Sequence, residues 1–138
     1  MCSATTKCAV CVSPYGDILF LMNVRDRIAA LIKGDATDDP DTLKKFSRDT
    51  SIFERRPSLV VYPKNEGDVR TLVKFAAEEK QKGEVISLTA RTAGTDMSGG
   101  PLTDGVVVSF TKYMNRMIEI GDDYAVAEPG MYYRDFER

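Results

Sequence analysis

Residues 59–90 read LVVYPKNEGDVRTLVKFAAEEKQKGEVISLTA, and this stretch decides the fold. Residues 59–62 form an apolar run of β-branched and aromatic side chains that Pro63 closes, which predicts a buried strand. Asn65 then caps a helix whose apolar residues recur at helical spacing. Residues 85–90 predict a second strand, so the stretch is a βαβ unit with parallel strands and a right-handed crossover.

Residues 91–101 follow the second predicted strand directly and read RTAGTDMSGGP. The loop lies at the carboxyl edge of the predicted sheet, where open α/β architectures place ligands. Its glycines remove Cβ obstruction and its threonines and serine add hydroxyl groups, so main-chain amides can turn inward as an anion-binding nest. The pattern predicts a diphosphate site, and a glycine-rich surface turn without a ligand is the alternative.

Further elements are predicted on both sides of this unit. Helices are expected after Asn23 and after the pair Asp39 and Pro40, with a polar loop at residues 35–39 between them. Downstream, residues 105–110 predict another strand. The last predicted elements are the two strands of a hairpin and the start of a helix, at residues 116–120, 124–128 and 131–138.

Together these elements predict an α+β fold, in which a βαβ subdomain is followed by antiparallel strands. Residues 1–21 lack periodicity and are expected to be an irregular N-terminal extension, which makes Met22 a candidate natural start. Residues 22–138 are expected to form one domain. Its last helix opens and stops after about two turns with its apolar face uncovered, which favours truncation at the C-terminus.

Composition limits the classes of function. The chain has 138 residues, of which 43% are hydrophobic and 29% charged, enough for one compact core. The formal net charge is -2 with both signs interspersed, which disfavours a nucleic-acid partner. The chain has no histidine, the side chain most often used as a general base, so we expect no catalytic residue in it.

The cysteines bear on metal binding and on the cellular compartment. All three, Cys2, Cys8 and Cys11, lie near the N-terminus, which favours free thiols in a reducing, cytoplasmic setting. Cys8 and Cys11 lack a second pair of ligands, so no metal is expected. The apolar residues 18–22 are too few to cross a bilayer, while a peripheral membrane contact needs only a small patch and stays compatible with the sequence.

The order of the motifs resembles the FAD-binding (PCMH-type) domain of the vanillyl-alcohol oxidase and p-cresol methylhydroxylase superfamily. Within it, the glycolate oxidase and D-lactate dehydrogenase branch is the most similar. The resemblance runs from about residue 35 to residue 138 and depends on several spaced motifs. They are residues 50–53 before Pro57, Pro63 after a strand, the loop 91–101, the strand 105–110, residues 113–116 and residues 128–130.

The resemblance implies FAD as the cofactor. It assigns a pyrophosphate loop led by Arg91, with Ser98 as a hydroxyl donor, and a later turn at residues 129–130 on the flavin side of the cleft. The cofactor-binding residues that it implies are Pro63, Arg91, Thr92, Ala93, Gly94, Thr95, Asp96, Ser98, Gly99, Gly100, Pro129 and Gly130.

Two positions depart from the family's pattern. The family usually has glycine where Thr92 stands, and threonine resists a positive φ. Asp96 places a carboxylate in a loop meant for phosphates, and repulsion would amount to roughly 1 kcal/mol or more. We therefore expect the Asp96 side chain to point away from the ligand and to accept hydrogen bonds from loop amides.

The resemblance also implies an activity, the oxidation of a 2-hydroxy acid such as D-lactate or glycolate by an FAD-dependent oxidoreductase. This chain would supply one wall of the FAD site and be inactive alone, with substrate-binding residues, the catalytic base and any metal ligands elsewhere. Two alternatives stay open. One is a flavoenzyme similar to UDP-N-acetylenolpyruvoylglucosamine reductase, and the other is a non-catalytic α/β binding module.

Overall fold

The computed structural model describes residues 23–138. The expected extension at residues 1–21, with its three cysteines, and Met22 lie outside the described residues. The described helices and strands alternate in the first two thirds of this range. In chain order they are α1 (Val24–Leu31), β1 (Asp35–Thr37), α2 (Pro40–Phe46), β2 (Leu59–Tyr62), α3 (Glu66–Gln81), β3 (Leu88–Arg91), β4 (Val106–Ser109), β5 (Met117–Ile120), β6 (Ala125–Ala127) and α4 (Tyr133–Phe136).

The main sheet has the strand order β1-β2-β4-β3. β4 runs parallel to both of its neighbours, with Val60 opposite Val107 on one side and Thr89 opposite Val107 on the other. β1 pairs antiparallel with β2 at the edge. The strands of the predicted βαβ unit are therefore parallel, but β4 lies between them. A separate antiparallel hairpin is formed by β5 and β6.

Helices cover both faces of the sheet, and the alternation of side chains along β2 and β4 supplies both cores. One face packs against α1 and α3, and its buried residues are Ile28, Ile32, Leu59, Val61, Leu72, Phe75, Val106 and Val108. The other packs against α2 through Leu43, Phe46, Val60 and Val107. Burial on both faces explains why these strands are continuous apolar runs in the sequence.

The predicted helix starts are confirmed by their caps. The side chain of Asn23 accepts a hydrogen bond from the Asp26 amide, and Asn65 does the same for Asp68. Such caps satisfy amides that a first turn leaves without an intrahelical partner. The buried Asp68 carboxylate also accepts the amides of Lys33 at 3.0 Å and Lys64 at 2.9 Å, and so fixes the end of α1 to the start of α3.

Two boundary predictions are corrected. Residues 35–39 are not wholly a loop, because Asp35–Thr37 forms the edge strand β1 against β2. Short polar strands are typical of sheet edges, where they prevent pairing with a strand of another molecule. β3 starts at Leu88, not at residue 85, because its register with β4 begins at the pair Leu88 and Val106. Val85 is exposed.

The strand predicted at residues 105–110 and the hairpin after it are confirmed. Helix formation after residue 131 is limited to the single turn of α4. Among residues 23–138, no helix combines the length and the apolar composition needed to cross a membrane.

Candidate functional site

A cleft of about 560 Å³ opens at the carboxyl edge of the main sheet, where β3 and β4 end. The glycine loop at residues 91–101 forms most of its wall, and Phe110 and Pro129 close the other side. The lining residues are Ala90, Arg91, Thr92, Gly94, Thr95, Asp96, Gly100, Pro101, Phe110 and Pro129. The cleft is the place where open α/β sheets bind ligands.

Two glycines make the turns of the loop. Gly94 has φ +71° and Gly99 has φ +82°, and among the described residues only glycines take positive φ. Positive φ is costly for residues with a Cβ, which explains glycine at both positions. Thr92 does not have a positive φ, so the loop makes its first turn at Gly94 and tolerates the departure from the family's pattern.

The hydrogen bonds expected of Asp96 are confirmed, because its carboxylate turns back into the loop. It accepts the Ser98 amide at 2.6 Å, the Ser98 hydroxyl at 2.7 Å and the Gly100 amide at 3.2 Å. The Ser98 hydroxyl, and then these amides, hold the pKa of Asp96 below its ordinary value. Two of the amides expected to face a ligand are thus occupied internally.

The first half of the loop keeps its amides free for an anion. No residue in the range 23–138 supplies a hydrogen-bond acceptor to the amides of Ala93, Gly94 or Thr95. Successive free amides around a left-handed glycine are the geometry of an anion-binding nest. Within the described part of the loop, the amides with an internal side-chain acceptor are therefore those of Ser98 and Gly100.

The side chain of Arg91 lies beneath the loop. It is 8% exposed, and its guanidinium donates to the carbonyls of Phe46 at 2.9 Å and Arg48 at 2.5 Å. It also lies over the Phe46 ring, 5.1 Å from the centroid. Burial lowers the pKa of Arg91, and the nearby Asp49 carboxylate opposes this shift. Arg91 therefore supports the loop through its side chain and reaches the cleft edge as the last residue of β3.

The far wall of the cleft is held by the base of the β5–β6 hairpin. The Arg116 guanidinium donates to Glu128 at 2.8 Å, and the Arg116 amide donates to the same carboxylate at 2.9 Å. These contacts lower the pKa of Glu128 and raise that of Arg116. The Gly130 amide donates to the Met114 carbonyl at 2.7 Å, and a Cβ added at Gly130 would lie 2.3 Å from the Phe110 carbonyl oxygen. Pro129 is fixed between these two contacts.

Seven of the predicted cofactor-binding residues line the cleft, and five do not. Pro63 is buried at the end of β2, where its Cα lies close to Gly34. Gly130 is buried in the turn behind Pro129. The other three that do not line the cleft lie within the loop: Ala93, Ser98 and Gly99.

The sequence reasoning missed Ala90, Pro101 and Phe110 as lining residues. Phe110 ends the strand predicted at residues 105–110, and its amide donates to the Arg91 carbonyl at 3.2 Å. Ligands bind at the carboxyl ends of strands in open α/β sheets, and Phe110 follows the carboxyl end of β4. Because β4 lies beside β3, this position is next to the glycine loop.

An α/β sheet with a glycine loop at its carboxyl edge defines a nucleotide-binding class of fold, and the comparisons with known proteins specify it. A sequence model described as FAD binding domain matches residues 57–138. This chain belongs to the FAD-binding domain family, and FAD is its cofactor.

Two enzymes of known structure share the fold. The 4-ethylphenol oxidase from Gulosibacter chungangensis, solved with isoeugenol, superposes with a TM-score of 0.67 and 26% identity over 80% of this chain. The p-cresol methylhydroxylase with substrate bound gives a TM-score of 0.66 and 22% identity over 81% of this chain. This chain covers 22% of each of these proteins. The resemblance to the PCMH-type FAD-binding domain is thereby confirmed, together with the α+β fold class.

Curated relatives are dehydrogenases. D-2-hydroxyglutarate dehydrogenase from Escherichia coli (strain K12) is 35% identical over 88 residues, which are 64% of this chain and 8% of that protein. The protein of the same name from Stutzerimonas stutzeri (strain A1501) is 31% identical over 112 residues, 77% of this chain and 23% of that protein. The chain thus spans less than a quarter of the length of these relatives.

Proposed function

We propose that the protein carrying this chain is an FAD-dependent oxidoreductase that oxidises a 2-hydroxy acid. The observation that carries the proposal is the cleft at the carboxyl edge of the main sheet, with the glycine loop on one side and Phe110 and Pro129 on the other. The loop and both of these residues lie within the part of the chain that matches the FAD binding domain. The relatives named as D-2-hydroxyglutarate dehydrogenases support the class of substrate.

The part of this chain in the reaction is to hold the cofactor. The loop at residues 91–101 would hold the diphosphate of FAD, with the amides of Gly94 and Thr95, which line the cleft, donating to its oxygens. Gly94 and Gly99 give the main chain the curvature for close approach. Pro129 and Phe110 would line the cleft on the flavin side. FAD, when bound, would supply the acceptor for the hydride equivalents of the substrate.

Asp96 determines which part of the loop is available to the diphosphate. Because its carboxylate is satisfied by Ser98 and Gly100, it shapes the second half of the loop instead of facing the phosphates. The diphosphate then meets the free amides before Asp96. Thr92 and Thr95 line the same part of the cleft, and their hydroxyl groups supply further donors.

D-2-hydroxyglutarate is the first substrate to test, because curated relatives act on it by name. D-lactate and glycolate are the next two, in keeping with the branch that the motifs resemble. All three share a hydroxyl group on the carbon beside a carboxylate, so a flavin enzyme oxidises each to a 2-oxo acid by the same reaction.

Anaerobic reduction of the bound flavin in the full-length protein tests the proposal. Each 2-hydroxy acid is added separately, and bleaching of the flavin absorbance band is recorded with time. We expect bleaching with at least one of the three acids. A flavin that stays oxidised with every one of them and bleaches with NADPH indicates a reductase instead. A full-length preparation that neither contains nor takes up flavin contradicts any FAD-dependent activity.

A further inference from the structure

A second segment of the chain closes on itself beside the glycine loop. Residues 47–54, here called the clamp segment, are closed by an isolated bridge between Arg48 and Glu54, whose side chains also form an ion pair. The Arg55 amide donates to the Ser47 carbonyl at 2.9 Å and closes the base. The segment is therefore held in one shape by its own contacts.

Three contacts join the clamp segment to the glycine loop. The exposed Thr50 hydroxyl donates to the Asp96 carbonyl at 2.8 Å. The Arg91 guanidinium donates to the Arg48 carbonyl and to the Phe46 carbonyl just before the segment. Phe53 lies against Gly99, where an added Cβ would be 3.0 Å from the ring. The contacts reach the start, the middle and the end of the loop.

The chemistry of Arg91 explains why it is buried here. A guanidinium removed from water is tolerated when its N–H groups find acceptors, and two main-chain carbonyls supply them. Its planar fork reaches both carbonyls at once, which a lysine ammonium on a flexible stem does not do. The same guanidinium occupies the space where a Gly94 side chain would go. Arg91 thus supports the loop at its first turn.

We propose that Thr50 and Arg91 are positioning residues, which hold the glycine loop from outside the cleft in the shape that receives the FAD diphosphate. This inference rests on the proposed placement of the diphosphate on that loop. Thr50 holds the carbonyl of Asp96 from one side, and Arg91 holds the first turn of the loop from beneath.

Thr50 offers the sharper test, because an exposed side chain is replaced without loss of a core contact. Thr50→Val removes the hydroxyl and keeps the shape, whereas Thr50→Ser keeps the hydroxyl. Thr71→Val is the matched control, since its hydroxyl donates to the Gly67 carbonyl at 2.9 Å on α3, away from the cleft. The readouts are the Kd for FAD and the thermal midpoint of the flavin-free, full-length protein.

We expect Thr50→Val to weaken FAD binding about fivefold, the effect of one lost hydrogen bond. Thr50→Ser and Thr71→Val are each expected to bind FAD with the affinity of the unmodified protein. The thermal midpoint of Thr50→Val is expected to equal that of the unmodified protein. Equal affinities for Thr50→Val and Thr50→Ser overturn the proposal. A loss of affinity that follows a lower midpoint in proportion also overturns it, because the contact is then only structural.

Arg91→Lys is the second variant, with the exposed Arg70→Lys on α3 as its control. We expect a larger loss of FAD affinity than for Thr50→Val, since one ammonium cannot bond both carbonyls. If the unmodified protein binds no FAD, hydrogen exchange of the Ser98 and Gly100 amides, which donate to the Asp96 carboxylate, decides. Faster exchange in Thr50→Val then supports the clamp while the proposed FAD site fails, and equal exchange in all variants contradicts the clamp itself.

Discussion

At the scale of single residues, Gly94 has two independent reasons to be glycine. Its φ is +71°, and the Arg91 guanidinium fills the space beside its Cα. Gly83 provides a matched comparison, because its φ is +93° and no heavy atom lies within 4 Å of an added Cβ. Alanine would therefore meet the strain of a positive φ at both positions, but would collide with the Arg91 guanidinium only at position 94.

Gly94→Ala is expected to raise the Kd for FAD more than tenfold, because about 1–2 kcal/mol of backbone strain adds to displacement of Arg91. Gly83→Ala carries a similar strain and is expected to leave the Kd unchanged. Fluorescence titration of the flavin-free, full-length variants with FAD measures both. An unchanged Kd in Gly94→Ala contradicts a ligand role for the loop.

Asp96 poses the opposite question, since a charge stands where phosphates are expected. Its carboxylate is turned into the loop, so Asp96→Asn, which retains an acceptor oxygen, is expected to change the Kd for FAD less than about fivefold. Asp96→Ala removes the acceptor and is expected to weaken binding about tenfold. Asp122→Asn, on the hairpin turn, controls for net charge. A large gain in affinity for Asp96→Asn shows that the carboxylate does face the phosphates.

At the scale of elements, α3 contains a buried carboxylate that the helical pattern does not reveal. Glu79 is 3% exposed and pairs with Lys82 at 2.7 Å and Arg27 at 2.6 Å, which ties α3 to α1. The hydrogen bond from Lys82, followed by that from Arg27, lowers the pKa of Glu79. A lowered pKa in the folded state means that the pair stabilises the fold only while Glu79 is charged.

The contribution of Glu79 is complete above the pKa of the unfolded state, about 4.3, and is lost as pH falls through the lower folded pKa. Glu79→Gln is expected to destabilise the protein by about 2 kcal/mol at neutral pH and by less at about pH 3. Glu78→Gln is the control, because Glu78 is exposed and 3.9 Å from its partner Lys74. Hydrogen exchange of α3 measures both, and an effect of Glu79→Gln that grows in acid contradicts this account.

Elements with local signals could be predicted, and elements defined by distant partners could not. The starts of α1 and α3 follow from Asn23 and Asn65, whose side chains cap the next turn. β1 was missed because a polar run of three residues has no strand pattern, and only the edge of β2 makes it a strand. The place of β4 between β2 and β3 is likewise set by packing on both faces of the sheet.

At the scale of the whole molecule, the sequence predicted where the site lies better than how its side chains point. The order of strand and glycine loop placed residues 91–101 at the carboxyl edge, and the cleft is there. It did not predict that Arg91 turns beneath the loop, because its acceptors, at Phe46 and Arg48, are more than forty positions away. Phe110 could not be predicted to line the cleft, because its position there depends on the pairing of β4 with β3.

The central claim is that the loop at residues 91–101 holds the diphosphate of FAD. The most direct measurement compares the Kd of FAD with that of riboflavin, which has no phosphate, for the flavin-free, full-length protein and its Gly94→Ala variant. The account predicts that FAD binds the unmodified protein at least tenfold more tightly than riboflavin, and that Gly94→Ala weakens FAD alone. Equal affinities for the two flavins, or an equal loss of both in the variant, would contradict it.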